Sequence, residues 1–334
     1  VGAMPVAISD WLAIPQLLEW SALGEATQTP SAGSHVLFNL RLPRLLLSVL
    51  VGASLGLSGA LTQSLFRNPL AEPGLLGVSA GAACAAALTI VMLGELVADL
   101  HPQARTWLLP TAAFIGALAV CFALESMARW IAPGSIAALL LTGIAMNALA
   151  GAVIGLCTYL ADDEQLRSLS FWTLGSLAGA QWVWVGVFTG LLATGYCSLR
   201  RLTQTLNALA LGEAAARHSG VDVYQLRKQI IVWVALLAGL AVAFCGMISF
   251  VGLIAPHLVR LWIGPDQRRM LPLATLVGAT LLLVADTFAR SVAVPAEIPV
   301  GIFTAFVGVP FFFLLVRQTQ TRSQTRRQIR GQIR

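Results

Sequence analysis

Nine apolar runs, at 43–66, 74–94, 107–131, 135–160, 181–199, 228–248, 249–263, 271–292 and 300–317, leave this chain little else to build with. A helix needs about 20 largely apolar residues to cross the roughly 30 Å hydrocarbon core of a bilayer, and most of the runs are that long. The run at 249–263 is short and reads as a half-span or re-entrant piece. Only 11% of the 334 residues are charged, against about 25% in ordinary soluble domains. The chain therefore reads as one all-α polytopic membrane domain over 1–334. The opening "VGAMPVAIS" is too short to span, and reads as the tail of a helix whose start is missing. Five cysteines (Cys84, Cys121, Cys157, Cys197, Cys245) fall in or at the ends of apolar runs with no Cys/His spacing, so no metal site or disulfide framework is expected.

Orientation follows from the asymmetry of Arg and Lys between alternate loops. Sixteen lie on one side: Arg67, Arg129, Arg200, Arg201, Arg217, Arg227, Lys228, Arg260, Arg268, Arg269 and six arginines from Arg317 onward. Five lie on the other: Arg41, Arg44, Arg105, Arg167 and Arg290. The first side, with the C-terminus, is expected in the cytoplasm. The tail at 318–334 then reads as a basic anchor near anionic lipid, with no nucleic acid involved.

Gly52, Gly59 and Pro69 recur as Gly239, Gly246 and Pro256, 187 residues later, and Arg41 and Lys228 share that offset. With opposite orientations for the two segments, this is the pattern of an inverted-topology repeat. Pro disfavours helix in itself and in the residue before it, so breaks are expected at "RNPLAEPGLLG" and "GLIAPHLVRLW", both on the cytoplasmic side. A gate and an ordinary turn would each use Pro and Gly there. GxxxG pairs at Gly52/Gly56, Gly77/Gly81, Gly151/Gly155, Gly175/Gly179 and Gly186/Gly190 suit close helix packing.

Transport against a gradient needs an energy source. The chain has one lysine, Lys228, and no GxxxxGK[ST], so it lacks a phosphate-binding P-loop. Ion coupling would use an intramembrane ionisable group; the candidates are Asp286, four residues before Arg290, and Glu125. The long cytoplasmic loop 198–229 carries apolar residues at Leu202, Leu206, Leu209 and Leu211. That face suits either a partner protein or the membrane surface.

"RLPR" (41–44), "RNPLAEPGLLGVS" (67–79), "LALGEAAARHSGV" (209–221), "GMISFVGLIAPHLVR" (246–260), "LLLVADTFAR" (281–290) and "EIPVGIFTAFVGVPFF" (297–312) resemble, in order, the motifs of FecCD-type permeases. These are the membrane subunits of type II ABC importers for iron-siderophores, haem and vitamin B12. The resemblance implies a ten-helix bundle, of which nine helices are evident here, and a homodimer in the bacterial inner membrane. It implies two ATP-binding cassette subunits, which hold ATP and Mg, and a periplasmic binding protein. The chain itself would carry no catalytic residue and no cofactor. By the same resemblance, Leu209, Leu211, Gly212, Glu213, Ala214, Ala215, Arg217, His218 and Gly220 dock the ATPase. Arg41, Arg44 and Arg290 meet the binding protein, and Asn68, Pro69 and Leu70 form the cytoplasmic gate. The "AEPGLLGVSAG" segment leans toward haem or B12 permeases, with haem the expected cargo. The competing class is an ion-coupled carrier using Asp286.

Overall fold

A computed structural model describes residues 32–94, 101–293, 296–314 and 317. The opening segment and the 318–334 tail lie outside the described residues. Among the described residues the structure is helical, without strands. Helix α1 (Ala32–Val36) runs through a π-helical turn (Leu37–Arg41) into α2 (Leu42–Phe66). A 3-10 turn (Pro73–Leu76) leads to α3 (Val78–Val91), followed by α4 (Pro102–Ile131), α5 (Ile136–Leu160), α6 (Asp163–Leu174) and α7 (Trp182–Arg201). The short α8 (Thr203–Ala210) and α9 (Glu213–His218) precede α10 (Val223–Cys245), α11 (Val251–Ile263), α12 (Gln267–Ala289) and α13 (Val300–Leu314).

Among the described residues, six stretches are long and apolar enough to cross a membrane: Ala32–Phe66, Ala104–Ile131, Ile136–Leu160, Trp182–Arg201, Val223–Cys245 and Gln267–Ala289. The other three expected spans are shorter apolar helices, Val78–Val91, Val251–Ile263 and Val300–Leu314. The amphipathic α6 falls outside every expected span; it starts at a capping box, with the Asp162 carboxylate accepting from Gln165 N–H at 2.8 Å.

The core forms around α2, which is buried along most of its length. Its antiparallel neighbour is α12. Glycine lets their backbones touch: a Cβ on Gly52 would collide with the Gly278 carbonyl, and one on Gly56 with the Ala274 carbonyl. The buried hydroxyls of α2 donate back along the helix, as in Ser58 to Leu55 O (3.0 Å) and Thr62 to Ser58 O (2.8 Å), so no partner is needed across the apolar interior. Gly81 of α3 meets Gly116 of α4 in the same way, whereas Gly151, Gly155, Gly179, Gly186 and Gly190 have open space beside them. The first pairs of the GxxxG series pack this chain, and of the later ones only Gly175 does, against the Met247 carbonyl.

The two ends of the bundle are chemically distinct. At one, Arg44 sits beside Asp286, and Trp107, Trp184 and Phe244 stack with centroids 4.5 and 4.4 Å apart. At the other are Arg67, Glu213, Arg227 and the α7 terminus at Arg201. Helices α3 and α11 do not reach from end to end. Gly77, which opens α3, lies against Val120 of α4, 11 residues and about 16 Å from that helix's end at 1.5 Å per residue. Helix α11 starts where Gly252 meets Gly59 and Leu55 of α2, about 10 Å short of Phe66. Each repeat thus contributes one full helix, one break and one half-helix, in opposite senses.

The second break is not where proline marks it. Pro256 stands inside α11, and the chain breaks earlier, from Gly246 (φ 71°) to Phe250 (φ 68°). Pro256 has no N–H for the Gly252 carbonyl four residues back; that carbonyl faces Gly59 of α2 instead, so the helix continues. Nor do both breaks start on one side. The 67–77 break climbs from the Arg67 end, and the 246–250 break descends from the Arg44 end.

Candidate functional site

The breaks meet inside the bundle. Pro73 packs on Gly252, and the Glu72 carboxylate accepts from Phe250 N–H. Gln63 Nε2 donates to Leu253 O at 3.2 Å. The two non-glycine residues with left-handed backbone among those described are Arg67 (φ 49°) and Phe250 (φ 68°), one at each break. Such conformations cost of order 1–3 kcal/mol and persist where surroundings over-determine them.

The expected gate residues sit at the Arg67 end. Asn68 Oδ1 accepts from Leu70 N–H at 3.0 Å, closing a tight turn around Pro69. Leu70 packs against Leu253 and Ile254 of the second half-helix, which Phe250, Leu258, Leu281, Phe311 and Phe312 also cover. His257 is buried, with its ring edge-on to Phe311 at 6.2 Å.

Glu213 ties the loop of α8 and α9 to this turn. Its carboxylate pairs with Arg227 of α10, with Arg67 at 3.6 Å and with Arg217 at 3.8 Å. Arg227 also donates to Gly134 O in the α4–α5 turn. The exposed Arg217 pair contributes about 0–1 kcal/mol; the better shielded Arg227 pair holds the geometry. One carboxylate therefore connects the loop, the turn that follows Arg67 and the start of α10. The remaining residues of the loop divide by exposure. Leu209 and Ala216 are buried, Leu211 is 82% exposed, and Ala214, Ala215, Arg217, His218 and Gly220 are exposed. Gly212 takes φ 115°, which favours glycine. At the loop's base, Asn207 donates to Asp266 Oδ1 (2.7 Å) and accepts from Gln267 N–H (2.9 Å). The Asn207 bond, then the Arg268 backbone N–H, hold the Asp266 carboxyl below the ordinary carboxylate range.

At the other end, Asp286 is fully buried between two arginines. Arg44 Nε and Nη2 reach its Oδ1 at 3.2 and 2.9 Å, and Arg290 Nε approaches Oδ2 at 3.1 Å. Arg44 Nη1 donates to the half-exposed Glu297 at 2.6 Å. The i,i+4 pair Asp286–Arg290 was readable from spacing. Arg44 and Glu297, over 240 residues apart, were not; only the α2–α12 packing joins them. Arg41 lies one turn before Arg44. Glu125, the other intramembrane candidate, pairs with Arg129 at 3.5 Å.

The sequence matches the FecCD transport family over residues 5–318. It is 47% identical over 299 residues to the hemin transport system permease protein HmuU of Yersinia pestis, covering 89% of this chain and 88% of that one. It is 40% identical to the vitamin B12 import system permease protein BtuC of Vibrio vulnificus, covering 84% and 83%. Among solved structures, an inward-facing metal-chelate type ABC transporter aligns with a TM-score of 0.76 at 32% identity, over 93% of this chain and 98% of that one. PsaBC of Streptococcus pneumoniae shares the fold, at TM-score 0.57 and 20% identity.

Proposed function

Because this chain belongs to the FecCD transport family, we propose that, within an ABC importer, it forms a homodimeric permease carrying haem from periplasm to cytoplasm. The excess of arginine at the Arg67 end supports a cytoplasmic location for that end, with the Arg44 end facing the periplasm. ATP is hydrolysed on separate cassette subunits. These dock on the exposed residues Leu211, Ala214, Ala215, Arg217, His218 and Gly220. Leu209, Gly212 and Glu213, turned inward, pass the movement on.

The observation that carries this reading is the Glu213–Arg67 link. Arg67 caps α2 in a left-handed conformation, and Asn68, Pro69 and Leu70 follow directly. A displacement of the docked loop pulls on the residue whose backbone sets the gate turn, and Arg227 carries the same pull to α10. At the periplasmic end, Arg41, Arg44 and Arg290 receive acidic groups of the binding protein. Haem is favoured over vitamin B12 by the higher identity to the hemin permease. The ion-coupled alternative finds little support, because Asp286 is clamped by two arginines.

Proteoliposomes holding this chain, its cassette ATPase and its binding protein test the proposal. Haem accumulates only with ATP and both partners, and vitamin B12 and a ferric siderophore do not. Glu213→Gln leaves ATP hydrolysis running while haem uptake falls about tenfold or more, since the carboxylate is the shared link. ATP-independent uptake would overturn the importer reading; ATP-driven uptake of another chelate would overturn only haem.

A further inference from the structure

At the Arg67 end, between α7, α8 and α12, lies a cavity of about 330 Å3 whose lining shares no residue with the 68–70 turn or with the 209–220 stretch. Leu199, Thr203 and Leu271 form its buried floor, Tyr196 and Pro272 its half-buried walls, and Arg200, Gln204 and Arg268 its exposed rim. The arginines come from different elements, the last turn of α7 and the first turn of α12. Neither guanidinium makes an ion pair or side-chain hydrogen bond among the described residues, and Arg268 feels only a longer-range attraction to Asp266. The nearby acid, Asp266, is engaged by Asn207 and by the Arg268 backbone, and Arg201 and Arg269, the next residues in the chain, are outside the cavity lining. Two guanidinium groups on the rim of one cavity, neither held in an ion pair, call for an anion with several acceptor oxygens.

The walls specify which source of anion. Its apolar lining, Leu199 with Tyr196 and Leu271 with Pro272, belongs to two membrane-crossing helices, and the cavity opens where those helices end. Exposed Trp130 and Trp262, at the ends of α4 and α11 on the same side of the bundle, mark the depth at which aromatic side chains sit among headgroups. A free phosphate would use the rim and leave the apolar wall bare; a phospholipid fills both. We infer that this cavity is a binding site for the phosphate group of an anionic phospholipid, with Arg200 and Arg268 as the ligating pair, Gln204 as an added donor, and Tyr196, Leu199 and Pro272 along the glycerol and upper acyl chain.

The test uses the purified full chain in detergent, with phosphatidylglycerol, phosphatidylcholine or inorganic phosphate added, reading thermal unfolding and lipid retained in native mass spectrometry. Phosphatidylglycerol raises the unfolding temperature and stays bound, while the other two additives do neither. Arg200→Gln with Arg268→Gln weakens retention about tenfold or more, as expected for losing two interfacial cations. Arg201→Gln with Arg269→Gln removes the same charge outside the cavity and keeps retention. Both cavity arginines are exposed and hold nothing in the fold, so the variants report on binding rather than folding. Equal loss in the two double variants would overturn the site. An equal shift from inorganic phosphate would overturn the lipid assignment.

Discussion

Asp286 shows how little a single residue says until its neighbours are known. Spacing alone gives it Arg290, one helical turn on. The structure adds Arg44 from a helix 242 positions earlier, then Glu297 on the far side of Arg44. Removing one partner of a buried charge cluster costs about 3–5 kcal/mol, because the remaining charge is stranded. Asp286→Asn, which leaves two nearly buried arginines sharing no carboxylate, therefore lowers thermal stability in detergent sharply, before any transport is measured. Glu297 has the opposite character. It is half-exposed and occupies Arg44 Nη1, a donor that a binding-protein carboxylate would need. Glu297→Gln is thus expected to tighten binding-protein docking several-fold in surface plasmon resonance, and weaker docking would argue against Arg44 as a contact.

Whole elements were more legible than their ends. Length and hydropathy mark all nine apolar segments, and the brevity of 249–263 already identifies a half-helix. What sequence misplaced was the second break, since proline was read as the breaker while Gly246 and Phe250 do the breaking. Pro256 is tolerated because the carbonyl it deprives is turned against Gly59, a contact no local pattern encodes. The α2–α12 contact was legible from Gly52 and Gly56, though their partners, Gly278 and Ala274, were not. Gly56→Val forces the two backbones apart; overpacking of this kind costs about 1–3 kcal/mol or more and should appear as lower yield and unfolding temperature. The loop proposed to dock the ATPase makes a contrasting prediction. Leu211 is almost wholly exposed, so Leu211→Asp leaves the unfolding temperature within about a degree, as surface substitutions do. In pull-down, the same change reduces capture of the cassette ATPase about tenfold, the scale of losing one interfacial apolar anchor.

At the scale of the molecule, the two repeats run in opposite directions, and their half-helices are locked by Pro73 on Gly252, Glu72 on Phe250 N–H and Gln63 on Leu253 O. The 14 residues of α3 and 13 of α11 are too few to cross a bilayer unaided. Their irregular backbone survives at membrane depth only inside protein. This constrains how the chain is made as well as how it works. A nascent chain that has emerged only to residue 91 has α2 and α3 but none of the 246–260 segment that closes the first break. Its Glu72 carboxylate then has no Phe250 N–H to accept from. The first half-helix must wait, loosely held or outside the hydrocarbon, for more than 150 further residues to be synthesised. On this geometry, final seating of the first half-helix of this chain is a late event, and a quality-control protease that recognises a stranded half-helix would have its longest opportunity in that interval.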